Sequence, residues 1–585
     1  MHPQFRCGLI ALAILCGSAG AIPQTNSAES KSSATYQAGL AAMSRGDLQS
    51  AHADFEKIVQ HDAHSADAQN MLAQVLLEQG DLDNAIIHFR AVIKLRPKLA
   101  IAHAYLAQAL QAKGHMDEAL LELHAAVDLA PQQWQAHQAL GRALSSKGKA
   151  DEAIAELKEA VRLAPQQADL HDELGSLLAQ QSSFAEAEKE FRLAVKLNPE
   201  DEPAHFHLGV ALFNQGEKEK AKTELDEAVK LDPKDSMAWY YRGETMESSA
   251  QPEEALRSYE QAVALRPDFA PLQTSYGLLL QRRGDPDRAV AAFGKAVDLT
   301  PDDPEAHNNL ALALLQRGEA DAAIKEFQIV IRLRPNDAGL QGNLGTAFLQ
   351  KTDFEAAETQ FRVAIKLDPG RASLHHDLAL ALKLKDDLPG AIAEWKQAIT
   401  LDPQLADAHY SLGVTLWQSG DFPSAAEELK QAIQIQPSYA EAYYTLGTVL
   451  KQMNKLPESA DALRHAIALD PDFAGAHTTL AAVLRQLGDT AGAAAESKAG
   501  AEMAKAKTDL QAATFATNSG RRLLNAGDLD GAISQFRTAI SVMSSYALAH
   551  YDLGLALSEK GNKSEASEEY RKAAELDPHL TPPAH

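Results

Sequence analysis

A proline recurs at a fixed interval of 34 residues through most of this 585-residue chain. A constant period of this length is typical of stacked structural repeats, so it constrains the fold more than any other feature. Proline lacks a backbone N–H and restricts the residue before it, which predicts that a helix ends at each of these positions. The series is Pro97, Pro131, Pro165, Pro199, Pro233, Pro267, Pro301, Pro335, Pro369, Pro403, Pro437 and Pro471.

The repeats can be numbered so that this proline takes position 32 of each 34-residue unit. Fourteen units then run without interruption over residues 32–507, and the last of them is degenerate. An insertion or junction over 508–512 precedes two further units over 513–580, and 581–585 is a short tail. Each unit is predicted to form a helix A, a turn and a helix B. Glycine occupies position 15 in eleven of the sixteen units, where a left-handed residue can end helix A.

Small residues recur where the two helices of a unit are expected to touch. Position 8 is glycine or alanine in all sixteen units, and position 20 is alanine in fifteen of them. Larger apolar residues repeat around them at spacings of three to four, which is the stripe of an amphipathic helix. Because one helical hairpin cannot bury such a stripe, each unit is expected to stack on its neighbours.

This pattern resembles the tetratricopeptide repeat family. In unit 202–235 the matching residues are Leu208, Gly209, Ala221, Leu225, Ala228 and Pro233. The resemblance implies an all-α, right-handed superhelix of about sixteen helix-turn-helix repeats, an α-solenoid in which helix A lines the concave side. The chain departs from the family at position 4, where tryptophan is frequent, because histidine stands there in nine units: His103, His137, His171, His205, His307, His375, His409, His477 and His550.

Residues 1–21 are predicted to be a secretory signal peptide, followed by a short linker over 22–31. Arg6 precedes an apolar run from about Cys7 to Cys16, and the small residues 19–21 follow it. The run is too short to span a bilayer. This predicts export to the periplasm or medium, with no transmembrane span in the mature chain. An uncleaved interfacial segment and a lipoprotein modified at the second cysteine are the alternatives.

Composition and motifs indicate which functions to expect. Both cysteines lie inside the predicted signal, so the mature chain would have no disulfide or thiolate site. A net charge of −25 argues against a nucleic-acid partner, which needs a basic surface. The position-4 histidines are separated by whole helix pairs, which favours a structural role over metal binding. Since no catalytic or phosphate-binding motif was found, the prediction is a non-enzymatic protein without a cofactor or metal.

Binding is expected on helix A, at positions 2, 5, 9, 12 and 13, which face away from the packed stripe and contact ligand in tetratricopeptide relatives. Aromatic residues cluster there twice, and aromatics are the usual anchors of an interface. The alternative is that they pack against each other inside a tightly wound superhelix. The candidate partner-binding residues are Phe206, Phe213, Tyr240, Tyr410, Trp417 and Tyr444, with Arg282, Arg485, Lys383 and Lys451 as possible sources of charge.

The degenerate unit 474–507 has Ser497 and Lys505 where a large apolar residue and the proline stand elsewhere. Its helix B is predicted to continue into the next unit, and the junction at 508–512 is either a hinge or a rigid spacer. The predicted function is a scaffold that binds partner proteins or peptides in the concave groove. The alternative is an accessory subunit of envelope polysaccharide synthesis or export. Because no unit has lysine at position 5, the clamp that holds C-terminal carboxylates in chaperone-binding relatives is not supported.

Overall fold

The computed structural model describes residues 27–580, with side chains from residue 34 onward. All regular secondary structure in this part of the chain is α-helix. The predicted signal peptide and the tail 581–585 lie outside the described residues. The chain divides into two compact units, with the division between Pro301 and Asp302. This division does not test the predicted segment boundaries, which stay predictions.

Unit 1 contains helices α1 to α16, and each helix after the first has 13 or 14 residues. Their bounds are α1 Ser27–Ser44, α2 Leu48–His61, α3 Ala66–Gln79, α4 Leu82–Leu95, α5 Ala100–Ala112, α6 Met116–Leu129, α7 Trp134–Ser146, α8 Ala150–Leu163, α9 Ala168–Gln180, α10 Phe184–Leu197, α11 Glu202–Asn214, α12 Lys218–Leu231, α13 Ser236–Ser248, α14 Pro252–Leu265, α15 Ala270–Arg282 and α16 Pro286–Leu299.

Unit 2 contains helices α17 to α31, and one of them, α28, is much longer than the rest. Their bounds are α17 Pro304–Arg317, α18 Ala320–Leu333, α19 Ala338–Gln350, α20 Phe354–Leu367, α21 Ala372–Leu384, α22 Leu388–Leu401, α23 Ala406–Gln418, α24 Phe422–Ile435, α25 Ala440–Gln452, α26 Leu456–Leu469, α27 Ala474–Gln486, α28 Thr490–Asn525, α29 Leu529–Val542, α30 Ala547–Glu559 and α31 Lys563–Leu576.

Within each unit the helices pack in chain order. Helix A packs on helix B of its own repeat, and helix B packs on helix A of the next. Neighbouring helices A also touch directly, as in the pairs α9–α11 and α11–α13 of unit 1 and α23–α25 and α25–α27 of unit 2. The expected all-α architecture of stacked helix-turn-helix repeats is therefore confirmed.

The turn at position 15 is left-handed in every repeat. Eleven repeats have glycine there, with φ between 72° and 92°. The other five have Ser182, Ala250, Thr352, Asp386 and Asn454, with φ between 56° and 66°. Left-handed backbone is unfavourable for residues that carry a Cβ, so these five turns hold strain that the repeat geometry imposes.

The small residue at position 8 allows the side chain at position 24 to cross between the two helices. A Cβ added to Gly243 would lie 2.5 Å from a ring carbon of Tyr259, far inside van der Waals contact. The Tyr259 side chain is fully buried. The close approach expected from the sequence is therefore made between the helix A backbone and a large side chain of helix B.

Helix α28 has 36 residues and joins helix B of the degenerate repeat to helix A of the next. The predicted continuation of that helix is confirmed, and residues 508–512 lie within it. Position 3 is buried in ordinary repeats, as at Ala204 and Ala238, but Phe515 at the same position is 71% exposed. The chain here continues straight instead of turning back, so no preceding helix B covers that position. None of the described helices has both the length and the hydrophobicity needed to cross a bilayer.

Candidate partner-binding site

The helix-A face consists of the side chains at positions 2, 5, 9, 12 and 13 of the helices A. Residues at positions 7, 8 and 11 of the same helices are buried against helix B, as Leu208, Gly209 and Leu212 are in α11. The aromatic candidates Phe206 and Phe213 of this helix are half-buried. The helix-A face is thus the part of the repeat that keeps large side chains accessible while the stack is closed.

The position-4 histidines hold each repeat together from within. In unit 202–235 the Nδ1 of His205 lies 2.7 Å from Oε2 of Glu224, and its Nε2 lies 3.1 Å from the carbonyl oxygen of Pro199. Both neighbours are acceptors, so both contacts are hydrogen bonds only when the ring carries two protons. The hydrogen bond that His171 donates to the Glu190 carboxylate raises the pKa of His171 against the opposing effect of burial.

All nine of these histidines bond a glutamate at position 23 of the same repeat. The remaining pairs are His103–Glu122, His137–Glu156, His171–Glu190, His307–Glu326, His375–Glu394, His409–Glu428, His477–Glu496 and His550–Glu569. The expectation that these histidines are structural is confirmed. Within residues 27–580, no group of three or more histidine, cysteine or acidic side chains is arranged to hold a metal ion.

The structure brings the first three aromatic candidates together through a residue that the sequence reasoning missed. The ring of Tyr241 lies 5.8 Å from Phe206, 6.2 Å from Phe213 and 5.2 Å from Tyr240, between ring centroids. We call Phe206, Phe213, Tyr240 and Tyr241 aromatic cluster 1. These rings pack edge-to-face on each other and remain half-buried. They therefore combine the mutual packing expected inside a superhelix with the accessible surface that partner binding needs.

Carboxylates border aromatic cluster 1. The Tyr259 hydroxyl, which reaches the helix-A face from helix B, lies 2.8 Å from Glu244 and 3.0 Å from Glu247. The candidate Arg282 is exposed and forms an ion pair with Glu247. Burial, and then the neighbouring Glu244, raise the pKa of Tyr240 to about 12.

The N-terminal end of α11 adds a further acidic group to this border. Burial and the nearby Asp235 raise the pKa of Glu202 to about 7. Asp172 of α9 lies 2.8 Å from Nδ1 of His207. The electrostatic environment of cluster 1 is therefore mainly negative.

The second three aromatic candidates form a more open arrangement in unit 2, which we call aromatic cluster 2: Tyr410, Trp417 and Tyr444. Each is held by a different neighbour in the following turn or repeat. The Tyr410 ring lies tilted against that of Tyr439 at 4.9 Å between centroids, and the Tyr444 ring lies tilted against that of Phe473 at 4.7 Å. Trp417 donates its Nε1–H to Oε1 of Gln452 at 2.7 Å.

Cations accompany aromatic cluster 2. The candidate Arg485 is exposed, and among the described residues it makes no ion pair. Lys383 is half-buried, and its Nζ lies 6.0 Å from the ring centroid of Trp395. Burial lowers the pKa of Lys383. The sequence reasoning missed Trp395, a buried helix B residue that reaches this face in the way that Tyr259 reaches it in unit 1.

A cavity of about 480 Å³ lies between α5, α6 and α7 of unit 1. Ile101, Leu123 and Trp134 form part of its apolar lining, and Gln108 and Gln138 contribute polar groups. Trp134 stands at position 1, which is not one of the helix-A positions 2, 5, 9, 12 and 13 at which partner binding is expected. The space is large enough for an apolar side chain of a partner.

Family models of the tetratricopeptide repeat match most of the described chain. A first tetratricopeptide repeat model matches residues 36–100, 274–338, 444–504 and 517–580. A second model, described as TPR repeat, matches residues 141–182, 382–420 and 415–454. A third, again of the tetratricopeptide repeat, matches residues 178–242. The chain belongs to the tetratricopeptide repeat family. Members of this family are generally non-catalytic and bind protein or peptide partners, so the TPR repeats support an interaction scaffold in general terms.

Solved TPR structures resemble parts of the chain. YrrB, described as a TPR protein with an unusual peptide-binding site, is 26% identical, with a TM-score of 0.29 and coverage of 32% of this chain and 95% of YrrB. MamA from Desulfovibrio magneticus RS-1 is also 26% identical, with a TM-score of 0.27 and coverage of 29% and 95%. Yeast Tom70 is 17% identical, with a TM-score of 0.31 and coverage of 73% and 97%. No curated protein matches the sequence.

Proposed function

We propose that this TPR protein is an exported, non-enzymatic scaffold whose helix-A face binds segments of partner proteins. The observation that carries the proposal is the pair of half-buried aromatic clusters on that face, one in each unit. A half-buried ring already has one side ordered by the protein, so a ligand gains apolar contact without ordering the side chain again. Aromatic residues of this kind are the usual hot spots of interfaces.

Binding is expected to spread over several repeats. Each repeat offers only a few side chains on its helix-A face, so one repeat gives a small contact area. Extended ligands that touch successive repeats add these contacts together, as linked binding events do. The cavity beside Trp134 and Ile101 offers a further apolar contact in unit 1.

Affinity capture with the purified full chain tests this function. We expect Phe213→Ala and Trp417→Ala to weaken partner capture, each by about 2 kcal/mol in binding free energy, which is typical of a hot spot. Helix content by circular dichroism should stay unchanged. Phe515→Ala is the matched control, because this phenylalanine is 71% exposed and lies outside both clusters. Equal capture by all three variants would show that the aromatic clusters are not the binding surface.

Export rests on the order of charged, apolar and small residues in 1–21. Mass spectrometry of the N-terminal peptide of the mature protein tests it directly. Cleavage after Ala21 is the expected result. A mature chain that keeps residues 1–21 would contradict cleavage of a signal peptide.

A further inference from the structure

The helix-A face of unit 2 contains a row of cations at one repeat position. Lys383, Lys451 and Arg485 all stand at position 12, on α21, α25 and α27, and Trp417 stands at the same position on α23. Lys383 and Lys451 are half-buried and Arg485 is exposed. Because α23 packs on α25 and α25 on α27, Trp417, Lys451 and Arg485 stand on helices that are in direct contact, while Lys383 stands on α21, which is joined to α23 through α22. We call these four side chains the position-12 row.

None of the three cations has an ion-pair partner among the residues that the structure describes. Other lysines of unit 2 do have one: Lys351 pairs with Asp321 at 2.7 Å, and Lys385 pairs with Glu358 at 2.8 Å. Three unpaired cations in a row form a local positive surface on a negative protein.

The surroundings of the row are apolar or neutral. Positions 9, 12 and 13 of the four repeats from 372 to 507 contain no carboxylate. Leu380 and Leu384 are 37% and 48% exposed there and add apolar surface beside Lys383. Asp377 stands six residues before Lys383, a rise of about 9 Å along the helix, and burial raises its pKa to about 6.

A buried donor without a partner lies beneath the row. The Trp395 side chain is fully buried, and its indole Nε1 has no hydrogen-bond acceptor among the described residues. Buried polar groups in proteins are nearly always paired. The ammonium group of Lys383 lies over this ring, with its Nζ 6.0 Å from the ring centroid. The first cation of the row therefore has a hydrogen-bond donor without a partner beneath it.

We propose that the position-12 row binds an extended peptide segment of a partner protein in which acidic side chains flank large apolar ones. Its carboxylates pair with Lys383, Lys451 and Arg485, and its apolar side chains lie on Trp417 and the two exposed leucines. This inference rests on the proposed function and specifies the partner chemistry of that surface. Charge complementarity selects the acidic segment, because the three unpaired side chains of the row are cations and the indole N–H beneath Lys383 is a donor.

The repeat spacing fixes a probe. Packed helices lie about 10 Å apart, and an extended chain rises about 3.3 Å per residue, so one repeat corresponds to about three peptide residues. The probe is a labelled twelve-residue peptide with glutamate at residues 1, 7 and 10 and leucine at residue 4, together with its reversed sequence. Two companion peptides have glutamine or lysine in place of glutamate.

Fluorescence anisotropy with the full chain measures the effect. We expect the glutamate peptide, in one of the two orientations, to bind about tenfold more tightly than the glutamine peptide at low salt, with the difference shrinking as salt is added. Lys383→Gln should weaken only the glutamate peptide, by about threefold to tenfold. Lys396→Gln is the matched control, since Lys396 is exposed on helix B next to Trp395, and it should change nothing.

Trp395→Phe removes the indole donor and keeps a ring in place. Phenylalanine already fills the same repeat position in seven other repeats and is fully buried there, for example at Phe327 and Phe361, so the variant is expected to fold. We expect about a threefold loss for the glutamate peptide and none for the glutamine peptide. Thermal unfolding followed by circular dichroism checks that the fold is kept.

Several outcomes would overturn this proposal. The glutamate and glutamine peptides would bind equally, or no peptide would bind. Alternatively, Lys383→Gln would bind the glutamate peptide like the parent, or an oligonucleotide would bind as tightly as the glutamate peptide. If glutamate and glutamine peptides bind equally and Trp417→Ala weakens both, the surface still binds peptides and only the charge assignment is wrong. If no peptide binds and Trp417→Ala does not affect partner capture, the proposed function itself fails.

Discussion

Aromatic clusters 1 and 2 use the same repeat positions but differ in what surrounds them. In cluster 1 the three candidate rings meet at Tyr241, and carboxylates such as Glu244 and Glu247 lie beside them. In cluster 2 the rings pack on separate neighbours, and cations at position 12 follow Trp417 along the repeats. The repeat therefore fixes where a large side chain can be accessible, and the other positions of the helix-A face set the chemistry.

The difference also concerns the side chain that crosses from helix B. Tyr259 in unit 1 places a hydroxyl among carboxylates, and all of these groups are hydrogen-bonded. Trp395 in unit 2 occupies the same repeat position and leaves its N–H without an acceptor among the described residues. A repeat thus has a second way to modify its binding face, through the large residue at position 24. The small residue at position 8 makes this route available.

The largest expected effect tests whether cluster 1 is held together by Tyr241. We expect Tyr241→Ala to lower the free energy of unfolding of unit 1 by about 2–3 kcal/mol, since one half-buried ring with three aromatic neighbours is removed. Trp417→Ala should cost less, about 1 kcal/mol, because that ring packs on the core of unit 2 and donates one hydrogen bond but has no aromatic neighbour among the described residues. Urea unfolding followed by circular dichroism measures the loss of stability in both variants. Hydrogen exchange in α11 and α13 shows whether the loss in Tyr241→Ala lies at cluster 1.

Tyr241→Phe is the control for this comparison, because it keeps the ring and its three contacts. It should lie within about 0.5 kcal/mol of the parent. Equal losses for Tyr241→Ala and Trp417→Ala would mean that the two clusters do not differ in how tightly they are packed.

Most of the fold followed from the sequence because the repeat states its packing constraints in most of the sixteen units. Proline at position 32, small residues at position 8 and glycine at position 15 each have one physical meaning, and all agree on helix pairs. The left-handed turns at Ala250 and Thr352 carry no glycine and were found only in the structure. There the stacking of neighbouring repeats outweighs the local preference of the residue.

The site was less predictable, because its contacts join different repeats. Tyr241 stands at position 6, which leans toward the preceding repeat, so reading one helix by itself does not associate it with Phe206 and Phe213. Trp395 stands on helix B and looks like an ordinary core residue. The histidine partners did leave a signal: position 23 is glutamate in the nine repeats with a position-4 histidine and in none of the other seven.

One of these histidine–glutamate pairs, His171–Glu190 in the repeat before cluster 1, is expected to make a pH-dependent contribution to stability. Glu190 raises the pKa of His171 above its ordinary value. The stabilisation is therefore complete below about pH 6.5, the value in an unfolded chain, and is lost as the pH rises through the higher folded-state pKa. We expect Glu190→Gln to lower the free energy of unfolding by about 1–2 kcal/mol at pH 6 and by less at pH 8.5.

Urea titrations at the two pH values measure this effect. A cost for Glu190→Gln that grows with pH would contradict the assignment of a doubly protonated ring.

The smallest expected effect compares the turns that carry the two clusters. Ala250 ends helix A of the repeat with Tyr240, and Asn454 ends helix A of the repeat with Tyr444; both residues are left-handed, with φ of 56° and 59°. Asparagine tolerates this conformation better than alanine does. Ala250→Gly should therefore raise the free energy of unfolding by about 1 kcal/mol through relief of strain, reduced by the entropy that glycine adds to the unfolded chain. Asn454→Gly should raise it by only a few tenths of a kcal/mol. Both side chains are exposed, so the change acts through the backbone alone. If thermal unfolding shows equal gains at the two turns, the strain would belong to the repeat geometry in general, and the turn beside cluster 1 would be no more strained than the one beside cluster 2.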